Sequence, residues 1–468
     1  MSEQNFDLLV IGGGPGGYVA AIRAAQLGIK TALVEKAQLG GVCLNWGCIP
    51  TKALLRSADV LRLVRDVAQF GVKVQAPEAD LPIMVARSRA VAAQLNKGVT
   101  GLMKKNGVRV FSGHARLLGG GVVAVTGEGE SSQKLRARNI VLATGARARQ
   151  LPQLPVDGSS VWTYREALIP PTLPKSLLIV GAGAIGIEFA SFYRALGVEV
   201  TVVEMAPRIL PLEDEEISAQ VAKSLQDDGI RLHTQVALEK AARSKGIWQI
   251  TLQPQGTGRQ AIQVQADVVL VAAGIVGNVE ELGLENTRVK VEKTHIITDS
   301  LCRTTEPGIY AIGDVAGPPW LAHKASHEGV LCVEHIAGLN PHALDSRRIP
   351  ACTYSHPQVA SVGWTEAQAK TAGRDVKVGK FPFLANGKAI AMGATTGFAK
   401  VVFDASTGEL LGAHMVGEEV TEMIQGFAMA QNLETTEAEL MSTVLPHPTM
   451  SETMHEAVLA AYGRALHI

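Results

Sequence analysis

The sequence predicts an α/β chain: two Rossmann-like, doubly wound units followed by a C-terminal α+β region. Three observations carry this. A short apolar run, residues 6–10, passes directly into Ile11-Gly12-Gly13-Gly14-Pro15-Gly16-Gly17 and then into a helix-like segment. The same arrangement recurs, because Gly181 against Gly12, Gly186 against Gly17 and Glu204 against Glu35 each stand 169 residues on. Two chance matches with identical internal spacing are improbable, so the repeat is structural. Beyond Arg347 the character changes to strand-like segments separated by turns.

The 468 residues exceed one core and fit about three or four domains. Hydrophobic content of 47% with 19% charged residues is an ordinary globular mixture able to bury large cores. Formal net charge is zero and no basic run occurs, which argues against nucleic acid and anionic membrane as partners. No apolar run approaches the roughly 20 residues needed to cross a bilayer. The acidic start, Met1 to Asp7, lacks the positive region of a signal peptide. Five cysteines, an odd number, do not make a secreted disulfide framework, so a cytoplasmic location is expected. Cys302, Cys332 and Cys352 are scattered and read as structural thiols.

In chain order, residues 18–27 read as a helix and residues 31–34 as a strand ending in Glu35. Gly12 permits the tight turn, Gly14 lets backbone approach a pyrophosphate, and Gly17 lets helix and strand pack closely. The helix N-terminus then faces the phosphates, and Glu35 is placed for a ribose hydroxyl. The second unit repeats these roles with Gly181, Gly183, Gly186 and Glu204.

Between the units stands Gly40-Gly41-Val42-Cys43-Leu44-Asn45-Trp46-Gly47-Cys48-Ile49-Pro50-Thr51-Lys52. Helical residues three to five apart lie near one face, so two thiols can meet there. Pro50 suits the early turn of a helix running on through Leu55. Thiolate chemistry is favoured near a helix start. Two small core hydrophobes or half a zinc site are the alternatives. Zinc needs four ligands, and no second close cysteine pair or nearby histidine exists, so a redox disulfide is favoured.

Residues 54–102 read as helical with an interruption at 70–82, and residues 139–146 as a buried strand entering a glycine turn. Residues 267–274 form the matching element of the second unit. Proline-rich linkers at 151–155 and 169–174 separate the units. A strand ending in Gly313-Asp314 places a carboxylate at a strand terminus, where it can bind a polyhydroxyl chain or cap the next helix. Residues 349–362, 379–394 and 398–402 read as strands, and 418–431 as a helix. His447 is held between Pro446 and Pro448, with Glu452 five residues on. A rigid histidine oriented by a carboxylate is what a general base beside a thiol requires, although a lone His-Pro is usually a surface turn.

The cysteine stretch resembles the active-site signature of the flavin-dependent pyridine nucleotide disulfide oxidoreductases, and similarity extends from Phe6 through Glu452. The resemblance implies a redox-active Cys43–Cys48 disulfide beside FAD in the first unit, with NAD in the second. It places Thr144 and Gly145 in a second flavin fingerprint, Asp314 on the ribityl chain, Ala322 under the flavin, and Gly274 at the nucleotide site. It matches Lys52 and Glu188 to an ion pair beside the flavin. His447, oriented by Glu452, becomes the base, supplied from the other subunit of a homodimer. Relatives commonly carry Arg and then Pro-Asn where this chain has Ile275-Val276-Gly277-Asn278, and a small apolar residue in place of Trp46.

Within the family, the dihydrolipoamide dehydrogenases are the nearest likeness. Leu44, residues 53–55, 97–102, 321–325 and 448–452 all match that branch, and no extra C-terminal cysteine pair occurs. Glu204 would repel a 2′-phosphate and so suits NAD, with Arg208 close by. The implied partners are lipoyl domains and the acyltransferase core of 2-oxo acid dehydrogenase complexes, or the glycine-cleavage lipoyl protein. Glutathione or mercuric reductase activity, or a mainly structural role in such an assembly, are the alternatives. The expected division is 1–150 for FAD, 151–275 for NAD, 276–346 completing the flavin site and 347–468 for dimerisation.

Overall fold

The computed structural model describes residues 4–127, 132–256 and 259–468. Of the acidic N-terminal stretch, Met1, Ser2 and Glu3 lie outside the described residues. Two compact units form. One holds Met1–Leu54, Pro82–Arg149 and Gly274–Leu344, the other Leu55–Leu81, Gln150–Ala273 and Asp345–Ile468.

The chain begins with β1 (Gln4–Ile11), α1 (Pro15–Gln26) and β2 (Thr31–Glu35). Then come α2 (Gly41–Trp46), α3 (Cys48–Asp66) and α4 (Leu81–Lys105), so the expected helical stretch and its interruption are both present. β3 (Arg109–Ser112), β4 (His114–Gly119), β5 (Val122–Thr126), β6 (Ser132–Leu142) and β7 (Ala146–Ala148) follow. The sheet order is β3-β2-β1-β6-β5-β4. β1 pairs in parallel with β2 on one side and β6 on the other, so the chain reverses direction across the sheet there. That reversal opens a crevice at the strand ends, where such folds hold ligands. Leu8, Leu9 and Val10 are fully buried, as a parallel strand covered on both faces requires.

The second unit opens with β8 (Val161–Trp162), α5 (Tyr164–Leu168), β9 (Ser176–Val180), α6 (Ala184–Ala195) and β10 (Glu199–Val203). It continues with α7 (Glu215–Asp227), β11 (Arg231–His233), β12 (Val236–Ser244), β13 (Ile247–Pro254), β14 (Ile262–Ala266) and β15 (Val268–Val271). The parallel order is β11-β10-β9-β15-β8, and β12-β13-β14 form a separate antiparallel sheet. The sequence reading did not foresee that sheet. Its signal was present: Trp248, Ile250 and Leu252 alternate with exposed or half-buried neighbours, the pattern of a strand covered on one face.

The chain then returns to the first unit with β16 (Ile275–Gly277), β17 (Val291–Glu292), β18 (His295–Ile296), β19 (Ile309–Ala311) and α8 (Ala322–Ile336). β19 joins β6 in parallel, and β16 pairs antiparallel with β7.

The C-terminal elements are β20 (Ala351–Thr353), β21 (Gln358–Gly363), α9 (Glu366–Thr371), β22 (Val376–Pro382), α10 (Gly387–Met392), β23 (Phe398–Asp404) and β24 (Leu410–Gly417). Helices α11 (Val420–Met423), α12 (Gln425–Asn432), α13 (Glu437–Ser442) and α14 (Glu452–Ala460) close the chain. Their sheet, β20-β21-β24-β23-β22, is antiparallel throughout. Three expectations are corrected. The strand at 349–362 is two strands. The strand at 379–394 stops at Pro382, because the Asn386 side chain accepts the Ala389 N–H at 2.9 Å and starts a helix. The helix at 418–431 is two short helices meeting at Ile424. β24 was not foreseen because all its residues are buried, which removes the alternation that marks a strand.

Candidate functional site

The first glycine turn leaves the end of β1. Gly12 has φ +107°, and a Cβ there would lie 2.2 Å from the Ala143 carbonyl oxygen, so only glycine fits. Gly181 repeats this at φ +107° and 2.3 Å from the Ala272 oxygen. Gly14 and Gly183 occupy the N-caps of α1 and α6, and no side chain caps either helix. Their first-turn amides therefore fit a pyrophosphate. Each acidic residue holds its own turn. Glu35 accepts the N–H groups of Gly13 (2.6 Å) and Ala37 (2.7 Å). Glu204 accepts those of Ala182 and Ala206, both at 2.8 Å. Gly17 and Gly186 are each the third residue of their helix, in the first turn of α1 and α6.

Cys43 on α2 and Cys48 at the start of α3 form a disulfide with Cα atoms 4.7 Å apart, which decides among the readings the spacing left open. They do not share one helix. On a continuous helix, five positions rotate side chains about 140° apart. The break at Gly47, φ −145° and ψ −112°, brings the two together instead. Lys52 stands on α3 four residues past Cys48, on the same helical face. Asn45, overlooked in the sequence, is buried and donates to the Leu39 and Gly41 carbonyls, both at 2.9 Å.

Thr144 and Gly145 are tied to Asn278. Thr144 Oγ1 donates to the Asn278 carbonyl at 2.8 Å, while Asn278 Nδ2 and backbone N–H donate to Thr144 and Gly145 carbonyls, both at 2.9 Å. The segment that departs from the family pattern thus braces the turn that follows β6. The Gly274 carbonyl accepts the Arg149 N–H at 3.0 Å. Asp314 follows β19; burial pushes its carboxyl up, against the pull of Lys324. Ala322 is the first residue of α8, whose Glu328 accepts the Gly313 N–H at 2.7 Å and pairs with Lys324 at 3.0 Å.

In the second unit, Glu188 on α6 is buried and accepts the Tyr354 N–H at 2.9 Å. His447 Nδ1 meets Glu452 Oε1 at 2.9 Å, and Glu452 Oε2 accepts the Thr449 N–H at 2.8 Å. Burial opposes ionisation of Glu452, but the Thr449 N–H and the His447 ring outweigh it and hold the carboxyl below its usual range. With Nδ1 so engaged and the ring mostly exposed, Nε2 is free to take a proton. Cys302 and Cys332 are buried thiols; burial pushes Cys302 up to about 12 and Cys332 well above its usual value, which leaves both inert.

Residues 6–329 match the pyridine nucleotide-disulphide oxidoreductase family, and residues 349–458 match its dimerisation domain. The chain is 56% identical over 467 residues to a dihydrolipoyl dehydrogenase of Zymomonas mobilis, covering 99% of both chains. It is 54% identical to one of Rhizobium etli, again over 99% of each. Among solved structures, LpdA from Mycobacterium tuberculosis superposes with a TM-score of 0.90 at 28% identity, covering 97% of this chain and 99% of that one. The flavoprotein disulfide reductase RclA from Escherichia coli gives 0.84 at 26% identity, covering 97% and 99%. With these matches over its full length and a disulfide bridging the two cysteines of its signature, the chain belongs to the pyridine nucleotide-disulphide oxidoreductases.

Proposed function

We propose that the chain oxidises protein-bound dihydrolipoyl groups to the cyclic disulfide and reduces NAD. The observation that carries this is the Cys43–Cys48 disulfide beside the first glycine turn, in a chain 56% identical to a dihydrolipoyl dehydrogenase. Gly12, Gly14, Gly17, Glu35, Lys52, Thr144, Gly145, Asp314 and Ala322 would hold FAD; Gly181, Gly183, Gly186, Glu204 and Gly274 would hold NAD. FAD, when bound, supplies the two-electron relay between the cysteine pair and NAD.

The chain's own residues do the rest. His447 Nε2 of the partner subunit, oriented by its Glu452, takes a proton from the first substrate thiol. That thiolate attacks Cys43 Sγ, and the Cys43–Cys48 bond breaks with its electron pair on Cys48. The second substrate thiol attacks the substrate sulfur of the mixed disulfide, closing the ring and releasing Cys43 as a thiol. Two electrons now reside on the cysteine pair, with one proton on Cys43 and one on His447. Lys52, one turn from Cys48 on α3, favours the thiolate.

The segments 1–150, 151–275, 276–346 and 347–468 would serve FAD binding, NAD binding, completion of the flavin site and dimerisation. The partners would be lipoyl domains and the acyltransferase core of a 2-oxo acid dehydrogenase complex, or a glycine-cleavage lipoyl protein, in the cytoplasm. Among the described residues no helix is long and apolar enough to cross a membrane. Turnover with dihydrolipoamide, glutathione and mercuric ion tests the reading. Dihydrolipoamide with NAD should be the working pair, and turnover of glutathione or mercuric ion in its place would overturn it.

A further inference from the structure

Helix α4 grips the cysteine loop through side chains that no motif marks. Arg89 Nη2 donates to the Asn45 carbonyl at 2.6 Å, and its guanidinium lies over the Trp46 ring, 4.7 Å from the centroid. Asn45 and Trp46 form the apex of the segment whose ends, Cys43 and Cys48, are 4.7 Å apart. Past Cys48, Ser88 Oγ donates to the Pro50 carbonyl at 3.0 Å and Arg87 Nη1 to the Ala53 carbonyl at 2.9 Å. Thr51 Oγ1 donates back to the Gly47 carbonyl at 2.7 Å. None of these bonds involves sulfur, so breaking the S–S bond leaves every one of them available.

We infer that Arg89, acting through Asn45 and Trp46, is a positioning residue that keeps the two reduced thiols at closing distance and so makes the disulfide harder to reduce. The inference rests on the reading of Cys43–Cys48 as the redox couple, and is independent of which dithiol is the substrate. Thiols held together re-form their bond at a lower entropic cost than thiols on a loop free to open. The oxidised loop is already closed by its covalent bond. Losing the clamp therefore relaxes mainly the reduced form and shifts the equilibrium toward it. Arginine suits the task because one planar guanidinium stacks on Trp46 and donates to Asn45 at once, which a lysine ammonium cannot do with the same geometry. A residue acting only as a nearby cation would have the opposite effect, since its removal disfavours thiolates and makes reduction harder.

The sign of the shift is thus the test. The holoenzyme is equilibrated in dithiothreitol buffers of graded redox ratio, and Cys43 and Cys48 are trapped by alkylation and quantified by mass spectrometry. Arg89→Met should raise the equilibrium constant for reduction about tenfold, about 30 mV for a two-electron couple. Arg89→Lys should give a smaller shift in the same direction, as should Trp46→Val. An unchanged or lowered constant in Arg89→Met overturns the inference, whatever its thermal stability does. If Arg89→Met does not fold, Arg89→Lys decides, and a constant equal to wild type overturns the inference. A wild-type pair that never titrates overturns the redox-couple reading instead.

Discussion

The two dinucleotide turns share one local geometry and differ in what lies against them. In each, a carboxylate at the end of the second strand gathers two backbone N–H groups, from Gly13 and Ala37 or from Ala182 and Ala206. In each, the residue after the first glycine accepts one backbone bond through its carbonyl. For Ala182 the donor is Leu210, in the loop before α7. For Gly13 it is Gly40, the residue that begins the disulfide-bearing helix α2. A Cβ on Gly41, at φ +56°, would come 2.7 Å from the Gly14 Cα, whereas one on Gly183 would meet nothing within 4 Å. The turn alone therefore supplies a geometry that suits a pyrophosphate. Its neighbour decides whether that turn is joined to thiol chemistry.

The largest expected effects come from cutting the dithiol chemistry while sparing both glycine turns. Cys43→Ser should abolish dithiol oxidation yet keep NADH-driven reduction of an artificial electron acceptor close to wild type. Its visible spectrum near neutral pH should show a long-wavelength thiolate-to-flavin band without any reductant, and Cys48→Ser should lack that band. The reverse pattern would exchange the roles of the two cysteines. His447→Gln should slow dithiol turnover about 10²–10⁴-fold with FAD content unchanged. An unaltered rate would leave His447 as a turn residue.

A smaller effect should separate the two acidic residues. Glu204→Ala removes the carboxylate proposed to disfavour a 2′-phosphate, together with two charge-assisted hydrogen bonds. The kcat/KM preference for NAD over NADP should fall by about 10–100-fold. Glu35→Ala should lower FAD content instead and leave that preference alone. Steady-state kinetics with both nucleotides and a flavin absorbance ratio distinguish the two, and equal effects would erase the difference between the units.

The glycines test the neighbour directly. Gly41→Ala forces a side chain into left-handed backbone and against Gly14, at a cost of about 3 kcal/mol or more. Gly183→Ala should stay within about 0.5 kcal/mol of wild type, while weakening NAD binding. Urea midpoints give the stabilities and nucleotide titration gives the affinity. A destabilised Gly183→Ala would show that the second turn is as crowded as the first.

The smallest effect depends on pH and belongs to the second unit. Burial pushes Glu213 up to about 7, against the pull of the Ser361 hydroxyl and with help from Asp214. A carboxyl raised on folding favours the folded state fully only below its unfolded pKa, about 4.3. That advantage is lost as pH rises from there toward 7. Glu213→Gln should thus be more stable than wild type by about 1–3 kcal/mol at pH 8, with the gain vanishing near pH 4. A pH-independent difference in urea midpoint would remove Glu213 as the cause.

What the sequence determined by itself lies in short-range spacing. Gly12 to Glu35 and Gly181 to Glu204 encode strand, turn and carboxylate within one βαβ unit, and His447 with Glu452 encodes a pair five residues apart. Cys43 and Cys48 were legible for the same reason, although the break at Gly47 was not, because it depends on the backbone angles of one residue. Strands covered on one face carry alternation that can be read, whereas β24, buried throughout, carries none. Only the tertiary structure decided that Arg87, Ser88 and Arg89 close over the cysteine loop, that Asn278 braces Thr144 and Gly145, and that Gly40 ties the cysteine loop to the first glycine turn. These contacts end largely on backbone carbonyls and amides. Nearly every residue offers such groups, so which ones meet is set by how the helices and strands pack, and no local pattern records it.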